Sequence, residues 1–232
     1  MMAPSSTGSS RTSAPTESLP ERQVLPRGID HGVDLALLGH DLGEGEDVFT
    51  LVLDFKDAFM SIPLHEDERR FNCAHTGFQL SRTRTSIYNG EPERGGFVVW
   101  RTLCFGGRPN PLVFSRVASF ACRTAQALLG TSVASVPCSD SPSAGRAQLY
   151  VDDPIVSVRA TEGRAKFDLD LVMLWWLVLG IPLSWKKGFL TSGSEAHRWI
   201  GIDYTLTAEG AIMRLPPAFV ADLLVRLLPS AP

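Results

Sequence analysis

Two adjacent acidic residues, Asp152 and Asp153, are the clearest candidates for chemistry in this sequence. They lie between two short apolar runs, residues 147–149 and 155–158, a pattern typical of a β-hairpin whose tight turn is formed by the two aspartates. An ordinary turn explains part of this pattern, because Asp tolerates the backbone angles of turns. Two neighbouring carboxylates repel each other, however, unless a cation relieves the repulsion. The hairpin therefore predicts a site for a divalent metal ion.

A third carboxylate, Asp54, follows a separate apolar run at residues 49–53, which is typical of a β-strand. If that strand lies beside the acidic hairpin in one sheet, Asp54 joins Asp152 and Asp153 in a cluster of oxygen ligands. Such a cluster suits Mg²⁺, with Mn²⁺ as a substitute, because Mg²⁺ prefers one or two protein carboxylates together with substrate phosphates. Three carboxylates around two ions are typical of two-metal phosphoryl transfer.

Five sequence blocks, in order, resemble the palm of reverse transcriptases, of the type found in LTR retrotransposons and retroviruses. The blocks are residues 54–64, 103–114, 150–153, 179–187 and 199–202, and the resemblance spans about residues 47 to 213. Three positions depart from the usual family pattern: Cys104 replaces a usual Pro, Asn110 a usual Ser or Ala, and Pro154 a usual aliphatic residue.

The resemblance implies an α+β fold, in which an antiparallel palm sheet has helices packed on one face, with incomplete fingers and no full thumb. It also implies RNA-directed DNA synthesis, the template-directed addition of deoxynucleotides to a primer. In the family pattern the metal ligands correspond to Asp54, Asp152, Asp153 and the backbone carbonyl of Phe55. Lys187 corresponds to a lysine placed to protonate the leaving pyrophosphate, so the implied catalytic residues are Asp54, Asp152, Asp153 and Lys187.

The same resemblance assigns residues to the substrates. Backbone N–H groups of Asp57 and Ala58 are expected to face the triphosphate, and the ring of Phe59 is expected to exclude a 2′-hydroxyl. The nucleotide-binding set implied by the family is Asp57, Ala58, Phe59, Gly106 and Tyr150. The primer- and template-binding set is Gly107, Arg108, Pro111, Trp199 and Gly201.

Sequence patterns divide the chain into four segments. Residues 1–20 are a disordered Ser/Pro-rich tail, 21–46 a weakly ordered fingers remnant or linker, 47–213 the palm, and 214–232 the start of a thumb or a C-terminal helix. Asn110 and Pro111 begin a helix that ends at Gly130, and a second helix runs over residues 161–179. The predicted apolar faces of these helices consist of Val113, Val117, Phe120, Ala121 and Leu128 in the first, and of Phe167, Leu171, Leu174 and Val178 in the second.

The composition is that of a globular protein, with 232 residues, 44% hydrophobic and 20% charged. The net charge of −3 is unusual for a protein that grips nucleic acid, which normally carries a basic excess. No secretory leader is visible and the apolar run 171–181 is too short to span a bilayer, so an intracellular location, cytoplasmic or nuclear, is expected. The expected partners are an RNA or DNA template with its primer, deoxynucleoside triphosphates and the rest of a retroelement polyprotein, and no membrane.

Two other functions are compatible with these residues. The first is a catalytically inactive, truncated retroelement remnant that retains the palm fold, which the departures at Cys104, Asn110 and Pro154 and the acidic charge favour. The second is a Mg²⁺-dependent nuclease that uses the same carboxylates, although such an enzyme leaves the block around Gly106 and the position of Phe59 without a purpose.

Overall fold

A computed structural model describes residues 25–75, 97–104, 106–107, 110–130 and 144–227 of the chain. The predicted tail and Arg108 lie outside these ranges. The helices are α1 (Gly28–Leu38), α2 (Glu66–Arg69), α3 (Asn110–Gly130), α4 (Glu162–Val178) and α5 (Pro217–Leu227), with one 3₁₀ turn at Phe59–Ser61. The strands are β1 (Glu46–Val52), β2 (Cys73–His75), β3 (Phe97–Val99), β4 (Ala144–Tyr150), β5 (Asp153–Thr161), β6 (Phe189–Ser192), β7 (His197–Trp199), β8 (Ile202–Thr207) and β9 (Gly210–Arg214).

The main sheet has four strands in the order β4-β5-β1-β6, and every neighbouring pair is antiparallel. The predicted placement of the strand before Asp54 beside the acidic hairpin is confirmed, since Val52 of β1 pairs with Ile155 of β5. Between these two strands Thr50 and Ser157 form a buried hydroxyl hydrogen bond of 2.9 Å. The α+β class with an antiparallel sheet is therefore confirmed.

Both faces of this sheet are covered. Helices α3 and α4 pack on one face, where Leu51 and Val156 meet Ala121 and Trp176 in the larger core. On the other face, Val48, Val52 and Ile155 pack against α1 and against a second sheet, β7-β8-β9. Strand β5 is buried on both faces for this reason, and the helices are thus not confined to one face as the family pattern implied.

Helix α1 lies inside residues 21–46, for which the sequence predicted weak order. The Asp30 carboxylate accepts a hydrogen bond from the Arg27 N–H at 2.7 Å and pairs with its guanidinium at 2.9 Å, which caps the first turn. At the other end Leu35 and Leu38 are buried in the second core. Residues 25–46 are therefore part of the folded structure, held against the main sheet by apolar packing.

Two hairpins and a helix follow near the carboxyl end of the described chain. Residues 199–202 form the tight turn between β7 and β8, in which Ile200 and Gly201 both have positive φ, at 43° and 79°, as a type I′ hairpin requires. A second turn, which ends at Gly210, joins β8 to β9, and α5 follows at Pro217–Leu227.

The predicted extents of α3 and α4 are confirmed, but most of their predicted apolar faces are wrong. In α3 the buried residues include Phe114, Ala118, Ala121, Ala125 and Leu129, whereas Val113 and Phe120 are exposed. In α4 the buried residues are Ala165, Asp168, Leu169, Val172 and Trp176, whereas Phe167, Leu174 and Val178 are exposed. Among the described residues, no helix is both long enough and apolar enough to cross a bilayer.

Candidate active site

Backbone hydrogen bonds hold Asp54 against the acidic hairpin. The N–H of Leu53 donates to the carbonyl of Pro154 at 3.1 Å, and the N–H of Phe55 donates to the carbonyl of Asp152 at 2.9 Å. Asp54 therefore lies opposite Asp153 on the neighbouring strand, where paired Cα atoms are about 4.5–5.5 Å apart. The structure thus brings together the three carboxylates that the sequence predicted as one cluster.

A third segment closes the same end of the sheet. The N–H of Ser184 donates to the carbonyl of Asp54 at 2.8 Å, and the N–H of Lys56 donates to the carbonyl of Pro182 at 2.8 Å. This ladder aligns the segment so that the Nζ of Lys187 lies 3.0 Å from Oδ2 of Asp54. The predicted catalytic lysine is therefore at the carboxylates, where its ammonium forms an ion pair.

The turn of the hairpin differs from the sequence prediction by one residue. Val151 and Asp152 form the two-residue turn, while Asp153 pairs with Tyr150 as the first residue of β5. Val151 has a φ of +56°, a left-handed conformation that a β-branched residue rarely adopts and that costs on the order of 1–3 kcal/mol. Such strain persists only where the surrounding structure imposes it, and it is common at functional sites.

Pro154 keeps the strand but removes one ladder donor. Its carbonyl accepts the hydrogen bond from Leu53, whereas its own nitrogen has no hydrogen to return to that strand. Pro154 therefore makes one hydrogen bond to β1, whereas most residue types at this position would make two. Strand β5 nevertheless continues through Pro154, whose side chain is almost fully buried.

The electrostatics of the cluster follow from burial and mutual repulsion. Partial burial raises the pKa of Asp152 above its usual value, and the charge of Asp54 raises it further. Burial also raises the pKa of Asp153, followed by the charges of Asp152 and Asp54. The hydrogen bond and charge of Asp54 raise the pKa of Lys187. The hairpin thus holds more negative charge than its one nearby ammonium offsets.

The residues present suit a hard divalent cation. Within the ranges the structure describes, no group of three or more His, Cys, Asp or Glu side chains lies close enough together to hold a metal ion by itself. Mg²⁺ does not need such a cage, because it is usually bound by one or two carboxylates, with water and substrate phosphates completing its shell. The oxygen donors of Asp54, Asp152 and Asp153 match this requirement. The carbonyl of Phe55 faces the hairpin as well. The N–H and C=O of a strand residue point to the same side, and the Phe55 N–H donates to the carbonyl of Asp152.

Two backbone donors lie just beyond Asp54. Asp57 has a φ of +50° and Ala58 is right-handed, a combination that turns successive N–H groups toward one concave surface. The N–H groups of Asp57 and Ala58 find no acceptor among the described residues. This concave surface is suited to an anionic group such as a phosphate.

The other predicted nucleotide-binding residues differ in accessibility. The Phe59 ring is 8% exposed and packs on Phe114 with the ring centroids 5.2 Å apart, so most of its surface belongs to the core. Tyr150 is exposed at the end of β4, and Gly106 has a φ of +87°, which favours glycine. Their roles toward a nucleotide stay predictions.

The side chain of Asn110, the first residue of α3, bonds to the loop that precedes the helix. Its side-chain nitrogen donates to the carbonyl of Cys104 at 2.7 Å and lies 3.4 Å from Oδ1 of Asn72. The Cys104 thiol is 3.7 Å from the same Asn72 oxygen. A Cβ at Gly107 would overlap the Asn110 amide, so the glycine leaves space for it. The two departures from the family pattern in this block therefore contact each other and share one polar partner.

The predicted primer- and template-binding residues are only partly accessible. Pro111 and Gly201 are exposed, at the start of α3 and at the tip of the β7–β8 hairpin. Trp199 is 2% exposed, and its indole nitrogen donates to the carbonyl of Asp153 at 3.0 Å. Its ring is enclosed by protein in this structure, and a role for Trp199 at the primer end stays a prediction.

Sequence reasoning missed a buried histidine pair behind Trp199. The Nε2 atoms of His31 and His197 are 2.9 Å apart, although the residues are separated by 166 positions. Each histidine is isolated in the sequence, so no local spacing indicates the pair. Only the packing of α1 against β7 brings them together.

The chain was compared with known proteins. The family model for reverse transcriptase (RNA-dependent DNA polymerase) matches residues 16–204. No curated protein matches the chain. Since the family model covers most of the sequence and its span includes all three clustered carboxylates, the chain belongs to the reverse transcriptase family.

Proposed function

We propose that this chain is the catalytic palm of a retroelement RNA-directed DNA polymerase that adds deoxynucleotides to a primer by two-metal catalysis. The observation that supports this most strongly is the meeting of Asp54 with Asp152 and Asp153 at one end of the sheet, fixed by backbone hydrogen bonds from two neighbouring segments. Template, primer and the remainder of a polyprotein are the partners that this function requires.

Each of these residues has its own role in the proposed reaction. Asp54, Asp152, Asp153 and the carbonyl of Phe55 would hold two Mg²⁺ ions, and bound ions would lower the pKa of the primer hydroxyl and neutralise phosphate charge. The N–H groups of Asp57 and Ala58 bind the triphosphate. Lys187 carries a proton at Nζ, 3.0 Å from Asp54, and donates it to the leaving pyrophosphate.

The remaining assignments concern recognition. The edge of Phe59 limits space at the sugar, while Gly106 and Tyr150 line the nucleotide site. Gly107, Arg108, Pro111 and Gly201 contact primer or template. Arg108 lies outside the described residues, whereas Gly107 lies just before α3, Pro111 in its first turn and Gly201 at the tip of the β7–β8 hairpin.

An inactive remnant is the competing function. One feature of the structure weighs against it: Cys104 and Asn110, which depart from the family pattern, form one hydrogen-bonded group with Asn72. If Cys104 and Asn110 had changed independently after a loss of function, their side chains would not be expected to share a hydrogen-bond partner. The buried Asn110 side chain has its donor satisfied, as a maintained core requires.

Primer extension by the purified chain decides between these functions. The assay supplies an oligo(dT) primer on poly(rA) with dTTP, and Mg²⁺ or Mn²⁺ is titrated. Incorporation that disappears in Asp152→Asn and persists in Asp41→Asn, an exposed loop aspartate, supports the polymerase. No incorporation by the wild-type chain at any metal concentration supports the remnant, and release of nucleotides from labelled DNA without dTTP supports a nuclease.

A further inference from the structure

The main chain of Asp153 is held by a side chain from outside the main sheet. Trp199 belongs to β7, and its indole N–H donates to the Asp153 carbonyl at 3.0 Å. This hydrogen bond reaches the residue directly before Pro154, which lacks a backbone N–H for the ladder with β1. Trp199 therefore adds a hydrogen bond to the hairpin, next to the position where the ladder between β5 and β1 lacks one.

Trp199 packs through His31 against a group of three aromatic residues. His31 of α1 meets the Trp199 ring edge-on with centroids 5.5 Å apart and meets the ring of Tyr204 at 4.7 Å. His197 stacks on Tyr204 at 5.4 Å. We call these four residues, His31, His197, Trp199 and Tyr204, the support cluster.

Polar contacts inside the support cluster are specific. The Nε2 atoms of His31 and His197 share one hydrogen bond of 2.9 Å, so one imidazole donates and the other accepts. The Tyr204 hydroxyl donates to the carbonyl of Gly28 at 3.1 Å, in the first turn of α1. Helix α1 is therefore connected to the Asp153 carbonyl through buried side chains of β7 and β8.

None of the four side chains can reach a substrate in this structure, because each residue is 6% exposed or less. Their effect on chemistry must pass through the backbone. The orientation of the peptide group after Asp153 determines where its carboxylate points, and catalytic groups tolerate displacements of only about 0.5 Å.

We propose that Trp199 and the His31–His197 pair are positioning residues for Asp153, and that α1 thereby belongs to the support of the metal site. This inference rests on the proposed function, since it assigns the residues that set the geometry of the same carboxylates. A hydrogen bond of this kind contributes about three- to tenfold in an equilibrium or rate constant.

The test compares Trp199→Phe with Trp175→Phe. Both changes remove an indole N–H and keep an aromatic ring, but the Trp175 indole donates to Thr124 Oγ1 at 2.8 Å, between α3 and α4. Trp199→Phe is expected to raise the Mg²⁺ concentration for half-maximal primer extension about three- to tenfold and to lower kcat, with the KM for dTTP unchanged. Mn²⁺ binding to the free chain, followed by electron paramagnetic resonance, is expected to weaken by a similar factor.

The histidine pair is tested by conservative and non-conservative variants. His31→Phe removes the hydrogen bond to His197 and is expected to shift metal binding in the same direction as Trp199→Phe. His31→Gln keeps a side-chain amide that can donate to or accept from His197 and is expected to restore most of the metal affinity. A purely structural role predicts instead that both variants change thermal stability while metal binding stays at the wild-type value, and that result overturns the inference.

The outcomes separate this inference from the proposed function. If the wild-type chain extends primers and Trp199→Phe has the same metal dependence as Trp175→Phe, the positioning role is wrong and the polymerase stands. If the wild-type chain binds Mn²⁺ without extending primers, and binding weakens in Trp199→Phe alone, the polymerase is wrong and the positioning role stands. Equal Mn²⁺ binding by both variants and the wild-type chain overturns the positioning role in either case.

Discussion

The buried histidine pair predicts that this fold loses stability in mild acid. Burial, followed by the neighbouring His197, lowers the pKa of His31 to about 3, and burial lowers the pKa of His197 to about 4. Both imidazoles therefore stay neutral in the folded chain at pH values where they take up protons in the unfolded chain. Stability is complete above the unfolded pKa of 6.5 and is lost as the pH falls toward the folded values.

The size of the effect follows from proton linkage. Each histidine destabilises the fold by about 1.4 kcal/mol per pH unit below its unfolded pKa, hence by about 2 kcal/mol at pH 5. The pair together removes about 4 kcal/mol, a large part of the 5–15 kcal/mol that stabilises a typical domain. Carboxylates with lowered pKa values, such as Asp30, Glu46 and Asp203, lose their contribution at lower pH. Asp152 and Asp153 have raised pKa values and act with the opposite sign.

Urea unfolding at about pH 7 and about pH 5 measures this difference directly. The double variant His31→Phe with His197→Phe lacks both titrating groups, so its free energy of unfolding is expected to change little between the two pH values. His40→Gln, whose side chain is exposed, is expected to keep the wild-type difference. A wild-type change below about 1 kcal/mol, or a full-sized change in the double variant, would refute the linkage reasoning.

Three further predictions concern the carboxylate cluster. Lys187→Gln removes the ammonium that competes with a cation for Asp54, so Mg²⁺ titration of the free chain should show tighter binding. Single-turnover primer extension should become slower. Weaker Mg²⁺ binding would contradict the competition. Because the pKa values of Asp152 and Asp153 are raised, Mg²⁺ affinity should begin to fall at a higher pH than for ordinary carboxylates, which isothermal titration at a series of pH values measures. A fall that begins only near the ordinary aspartate pKa of 3.8 would oppose this. Phe59→Val should increase the ratio of ribonucleotide to deoxynucleotide incorporation. Since Phe59 packs on Phe114, the change should also lower the free energy of unfolding by about 2 kcal/mol. An unchanged incorporation ratio in a folded variant would show that the ring does not select the sugar.

Sequence reasoning located the three carboxylates and the strands that carry them. The apolar runs before Asp54 and on either side of the hairpin are strong local signals, and antiparallel pairing then brings the chain positions together. The exact turn was missed because the positive φ lies at Val151, a residue type that gives no warning of it. The resemblance supplied Lys187, whose position depends on the ladder between Ser184 and Asp54.

Helix α4 shows why burial could not be predicted to the same degree. Its second half, residues 171–178, is apolar on every side, so periodicity there does not distinguish the face toward the sheet from the face toward solvent. The core instead accepts Trp176 and Val172 and leaves Leu174 and Val178 exposed. Buried Asp168 is tolerated at this interface because Arg164 pairs with it at 3.0 Å. Tertiary contacts, and not hydrophobicity, decided which side faces inward.

Backbone hydrogen bonds, and not side-chain packing, position most of the acidic cluster. Asp54 and Asp152 are placed by main-chain hydrogen bonds to Phe55 and Ser184, which do not depend on side-chain identity. Charge-removing substitutions at these carboxylates should therefore leave the fold intact. Asp153 is the exception, since Pro154 offers no N–H to β1 and the Trp199 side chain adds a hydrogen bond to the Asp153 carbonyl. The part of the site that depends on packing is thus the part connected to α1, and substitutions in that helix are the ones expected to alter chemistry from a distance.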